Sequence, residues 1–84
     1  MTITKDGIRS WLAAAKREGA THVLVVCDTF DHEDYPVSVM PGEDVRAKAK
    51  PYQAGENMQA LMEVYSLKRD IEAQLNEHRA FHYD

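Results

Sequence analysis

The sequence predicts an α+β domain of order αββαα, an antiparallel β-hairpin packed by an N-terminal helix and a long C-terminal helix. Three observations carry this. Ile8, Trp11, Leu12 and Ala15 recur at helical spacing ahead of Gly19. The β-branched run Val23-Leu24-Val25-Val26 follows that glycine and is separated by a short polar loop from Tyr35-Pro36-Val37-Ser38-Val39-Met40. Apolar residues then continue at roughly helical spacing from Met58 to Leu75.

Each element has its own signal. Thr4 can cap a helix over about 5–18, with Asp6 in the first turn and Lys16 and Arg17 in the last. Gly19 can take the left-handed conformation that ends it, and Trp11 reads as its main anchor on the sheet. The first strand spans Thr21–Asp28. Val23, Val25 and Cys27 point one way, Leu24 and Val26 the other, so both faces call for cover. The loop 29–34 is too short for a parallel crossover, which makes the pair a hairpin. Pro36 cannot donate to a ladder and belongs at a strand start or on an edge. Over 43–50, acid first and base last before Pro51 favour a short helix, although the alternation of Val45, Ala47 and Ala49 would also fit a third strand. A linker over 51–56 leads to a helix over about 57–78 and an aromatic tail, Ala80–Asp84, expected to dock.

That last helix would be roughly 33 Å long. Its apolar stripe is either unusually wide or shifts sideways at Ser66, giving more apolar surface than one hairpin can cover. The first strand is also apolar on both faces. Association of two chains would resolve both, so a homodimer is expected.

At 84 residues the chain is one domain, 1–84, with a thin core that hides about 60–65% of its unfolded surface. Cys27 is the only cysteine, which excludes an intrachain disulfide and suits a reducing compartment. The N-terminal residues lack a basic segment followed by an apolar one, and no apolar run reaches membrane-spanning length, so a cytoplasmic protein with no membrane partner is expected. The net charge is −4, and the four carboxylates of Asp28, Asp31, Glu33 and Asp34 equal it. This balance disfavours nucleic acid and suits a basic surface or a cation.

The stretch Cys27–Tyr35 holds the chemistry worth weighing. Its acids do not follow the alternate spacing and central glycine of an EF-hand loop, nor the paired Cys and His of zinc sites. Val25-Val26-Cys27-Asp28 resembles the apolar strand ending in a nucleophilic aspartate of haloacid-dehalogenase-like phosphatases. The partner acid should then sit two residues on, where this chain has Phe30, and the parallel sheet is missing. Cys27 beside His22 or His32 could pair a nucleophile with a base, but its alternation points it inward as a small hydrophobe. His78 and His82, four apart, could share a helix face, yet have no third ligand near in sequence. Arg46, Lys48 and Lys50 are too few for a nucleic-acid patch and could face the acidic loop. Met58 and Met62 read as core filler.

The run Val25-Val26-Cys27-Asp28-Thr29-Phe30-Asp31, then Glu33-Asp34-Tyr35-Pro36-Val37, resembles small proteins encoded in bacterial and phage genomes. Asn57-Met58-Gln59, Met62-Glu63-Val64-Tyr65 and Leu75–Phe81 resemble the same group, so the likeness spans most of the chain. It implies an accessory protein, phage- or mobile-element-related, and supplies no catalytic or binding residue.

The sequence therefore reads as a non-enzymatic interaction protein, homodimeric, contacting an unidentified protein partner through the acidic hairpin loop 28–35. The contact candidates are Asp28, Asp31, His32, Glu33, Asp34 and Tyr35. The alternative is a small-molecule or divalent-cation-binding module at the same loop. No catalytic residue, metal ligand set or cofactor is implied.

Overall fold

A computed structural model describes residues 3–84. The elements run α1 (Lys5–Arg17), β1 (His22–Asp28), β2 (Glu33–Val39), α2 (Val45–Gln53), β3 (Gln59–Ser66) and α3 (Ile71–Leu75). A 3₁₀ turn at Glu56–Met58 leads into β3. The sheet has three antiparallel strands in the order β2-β1-β3. The class is the expected α+β, but the order is αββαβα.

The N-terminal half follows its local signals. Thr4 Oγ1 accepts from Gly7 N at 3.1 Å and starts α1. At the other end Gly19 takes φ 85°. Its N–H donates to Lys16 O, and Ala20 N to Ala15 O, which closes the helix with two paired carbonyls. Ile8, Leu12 and Ala15 are the buried face of α1, while Trp11 packs only at the margin of the core, so Leu12 is the anchor instead. The hairpin pairs Val26 with Tyr35 and Asp28 with Glu33. Pro36 lies opposite Val25 on an outer strand, where its missing N–H breaks no ladder. Residues 45–53 are helix rather than strand. Asp44 Oδ1 accepts from Arg46 N and Ala47 N at 3.0 and 3.2 Å. The helix runs past Pro51 to Gln53, shortening the expected linker.

The long C-terminal helix does not form. Residues 59–66 are instead a strand on the free side of β1, and only 71–75 are helical. Val25 pairs with Glu63 and Val26 with Leu61, so Met62 is an unpaired bulge residue. His78 and His82 consequently share no helix face, since α3 ends at Leu75.

β1 is covered on both faces within the chain. Val23 and Val25 pack with Ile8, Leu12, Tyr65 and Leu75 under α1 and α3. Leu24 and Val26 pack with Val39, Ala49 and Val64 under α2. The two features that suggested a homodimer, a doubly apolar strand and an overlong apolar helix, are thus accounted for inside one chain.

The outer edge of β3 is closed by two devices. Val64 N donates to Ala80 O at 2.8 Å and His82 N to Val64 O at 3.0 Å, so the tail runs parallel to the strand as expected of a docked segment. One step on, the buried Gln74 side chain imitates a peptide group. Its Oε1 accepts from Ser66 N and its Nε2 donates to Ser66 O, both at 2.8 Å. Replacing Gln74 by Leu leaves Ser66 N buried and unpaired and Ser66 O with only the long bond from Arg69 N at 3.4 Å, which should cost about 1–3 kcal/mol. Urea unfolding measures this, and a Gln74→Leu protein as stable as wild type would refute the edge-closing role.

Candidate functional site at the hairpin tip

Asp28 ends β1 and builds the turn. Its Oδ1 accepts from Phe30 N at 2.8 Å and Asp31 N at 3.2 Å, and its carbonyl accepts from His32 N at 2.7 Å. An aspartate at this position suits the turn because its short side chain can bond the backbone two and three residues on. His32 completes the reversal with φ 58°. Thr29 then ties the turn to the segment before β3, since its N–H and its hydroxyl both donate to Met58 O at 2.8 Å. Asn57 and Met58 themselves adopt φ 58° and 59°.

This geometry divides the six expected contact residues. Asp31, His32 and Glu33 are exposed on the turn. Asp28 is engaged by the turn, and Asp34 Oδ2 accepts from Ile3 N at 3.2 Å, so both are partly structural. Tyr35 packs against the α2-side core, and its hydroxyl accepts from Gln59 Nε2. Burial pushes the Tyr35 hydroxyl above the ordinary phenol range. Among the described residues, no group of three or more His, Cys, Asp or Glu side chains is arranged to hold a metal ion.

Two residues belong to this surface that sequence reasoning did not assign to it. Phe30 is 72% exposed and Met58 56% exposed. Phe30 carried a signal, as a large aromatic in the middle of an acidic run. Met58 carried none, because its placement depends on the long-range Thr29 pairing and it had read as core filler. Met62 does pack against the α1-side core.

The remaining candidates resolve as follows. Burial and then the neighbouring Asp34 push the Cys27 thiol up, so the nucleophilic thiolate is disfavoured. Lys48 and Arg46 make their contacts away from the acidic loop. Lys48 Nζ binds Glu43 at 2.9 Å and Ser38 O at 2.9 Å, and Arg46 lies 4.3 Å from the Tyr83 ring centroid. His82 Nε2 sits 2.7 Å from Glu77 Oε2. A cleft of about 200 Å³ lies below the start of α1, with Ile8, Val25 and Met62 among its apolar lining and Asp34 and Glu63 among its polar groups. Asp34 is held by Ile3 N, and Glu63 Oε2 by Ala80 N at 3.0 Å. No described helix is long and apolar enough to cross a membrane.

Comparison with protein-family models, with curated proteins and with solved structures finds no match.

The division of the acids gives a stability test. Asp28→Ala removes the turn's acceptor and should cost about 1 kcal/mol, a fall of about 4–8 °C in Tm for a domain of this size. Asp31→Ala and Glu33→Ala should stay within about 0.5 kcal/mol of wild type or stabilise by relieving like-charge repulsion. Differential scanning calorimetry of the three variants would show whether Asp28 stands apart.

Proposed function

We propose that this chain is a non-enzymatic interaction protein whose hairpin tip, residues 28–35 with Met58, docks on a partner that presents basic groups around an apolar patch. The observation that carries this reading is the pairing of two exposed apolar residues, Phe30 and Met58, with exposed Asp31 and Glu33 at one end of the sheet. An apolar centre with a charged rim is the usual anatomy of a protein contact. The acids steer a cationic partner and exclude acidic ones, while the apolar pair supplies the affinity.

A non-catalytic reading suits the chemistry of the same region. Burial and the neighbouring Asp34 push the Cys27 thiol up, which disfavours its nucleophilic form. The cation-binding alternative draws less support, because Asp28 and Asp34 already accept main-chain hydrogen bonds. The partner in this reading is another protein, since two apposed tips would set like charges against each other.

The test is capture from a cell extract by the immobilised protein. Phe30→Ser with Met58→Ser should weaken capture about 30-fold or more, the effect of losing about 2 kcal/mol at an interface hot spot. Asp31→Asn with Glu33→Gln should reduce it mainly at low salt, the difference vanishing near ~1 M salt, where the Debye length is about 3 Å. A partner retained equally by both double variants would remove the tip from the interface.

A further inference from the structure

The cleft below the start of α1 sets charged side chains around an apolar floor. The strand register is the reason. Val25 lies opposite Glu63 of β3, and Cys27 lies opposite Asp34 of β2. Residues directly opposite share a face, and Val25 packs in the α1-side core. Two acids therefore project from the inner face of the sheet, at positions that would suit apolar residues. Val25, Ile8 and Met62 make the floor, and Arg79 joins the two acids around it. Neither Phe30 nor Met58 of the tip lines this cleft.

Each acid is anchored by one main-chain bond and can still accept more. Asp34 Oδ2 accepts from Ile3 N at 3.2 Å, and Glu63 Oε2 from Ala80 N at 3.0 Å. The Cys27 thiol stands beside Asp34 and the Tyr65 hydroxyl beside Glu63. A carboxylate offers about four acceptor positions, so both acids keep capacity towards the cleft. The bond to Ala80 N also sets Glu63 next to Arg79, the preceding residue. Arg9, Arg46 and Arg69 engage Glu72, Tyr83 and Asp84. Arg79 has no such partner among the described residues.

We propose that this cleft binds a free basic α-amino acid of lysine length, with its carboxylate on Arg79, its α-ammonium on Glu63, its methylenes over Val25, Ile8 and Met62, and its terminal ammonium on Asp34. Size, charge and span each point there. The cleft's volume of about 200 Å³ lies below the roughly 300–1,000 Å³ of pockets for drug-sized ligands. Two carboxylates and one guanidinium are the opposite, group for group, of lysine's two ammoniums and one carboxylate. A simple anion would meet both acids, and a simple diamine would meet Arg79. Asp34 and Glu63 flank β1, about 10 Å apart across the strands and about 7 Å along them, which separates their Cα atoms by about 12 Å. An extended lysine holds its two nitrogens about 7 Å apart, and a hydrogen bond of about 3 Å at each end gives a reach of about 13 Å. Lysine's carboxylate adjoins its α-ammonium as Arg79 adjoins Glu63. Both acids are held on paired strands by main-chain bonds, so binding has little to reorder.

Titration of the full chain with L-lysine at constant ionic strength, followed by amide NMR, tests this. Saturable shifts should gather at Ile8, Val25, Met62, Glu63 and Arg79, with a Kd of about 1 mM or tighter. L-Norleucine lacks only the terminal ammonium, and cadaverine lacks only the carboxylate. Each should bind about tenfold or more weakly, the effect of losing one charge-assisted hydrogen bond. Arg79→Gln, at an exposed position, should weaken lysine about tenfold without weakening cadaverine. Asp34→Asn, which keeps an acceptor for Ile3 N, should weaken lysine similarly without weakening norleucine. No saturation by ~10 mM lysine, shifts confined to the hairpin tip, equal affinity for norleucine or cadaverine, or unchanged lysine affinity in either variant would each overturn the site.

Discussion

The central strand β1 is apolar on both faces and hydrogen-bonded on both edges, and the remaining elements are arranged to satisfy it. Val23 to Val26 are all buried to within 1% exposure. Each such side chain contributes about 1.5–3 kcal/mol on burial, so four in succession are a large share of what a chain of this length can gather. Burying them requires a layer on each side. The sheet therefore separates two small cores, with α1 and α3 over Val23 and Val25 and α2 over Leu24 and Val26. Registers follow from the same demand, because sliding β2 or β3 by one residue would turn its apolar side chains to the wrong layer. The edges follow too. β2 carries Pro36, and β3 is closed by Gln74 and the tail, so strand pairing stops at three.

How legible this was depended on how local each signal is. α1, the hairpin and α2 are encoded by caps, a glycine stop, β-branched runs and a short loop, all within a few residues of where they act. The strand over 59–66 is not. It is rich in helix formers, Ala60, Leu61, Met62 and Glu63, and its bulge changes the period of its apolar residues. Because Met62 is the extra residue, Leu61 and Val64 face the α2 side while Met62 and Tyr65 face the α1 side. A strand with its bulge in mid-run thus spaces its apolar residues three apart, as a helix does, and Ile71 and Leu75 then extend the pattern with a real helical turn. The sideways shift of the stripe at Ser66 marked the end of the strand. Tertiary pairing with β1 overrode intrinsic propensity. At the tip, the acidic run was visible in sequence, but its division was not. Asp28 and Asp34 are told from Asp31 and Glu33 only by the backbone amides that fold brings to them.

The two ends of the sheet differ in how their polar and apolar groups are balanced. Away from the tip, Asp84 pairs with Arg69, His82 is hydrogen-bonded to Glu77, the aromatic Tyr83 lies beneath Arg46, and the exposed apolar side chains, Met40 and Phe81, are only 37% and 44% exposed. At the tip, Asp31 and Glu33 add to Asp28 and Asp34 within one turn, and Phe30 and Met58 are 72% and 56% exposed. The non-glycine residues with positive φ, His32, Asn57 and Met58, also lie there. For a long unbranched side chain such as Met58 that conformation costs roughly 1–2 kcal/mol, and a domain with a thin core has little to offset it. The Thr29 bonds to Met58 O hold the strained segment in place, and the side chain they position is left largely in water. Stability alone would favour a glycine or asparagine at 58 and a polar residue at 30. Strain, like charge and exposed apolar surface gathered at one place are features that recognition surfaces share, and this concentration at the tip is the ground on which a recognition surface is proposed there.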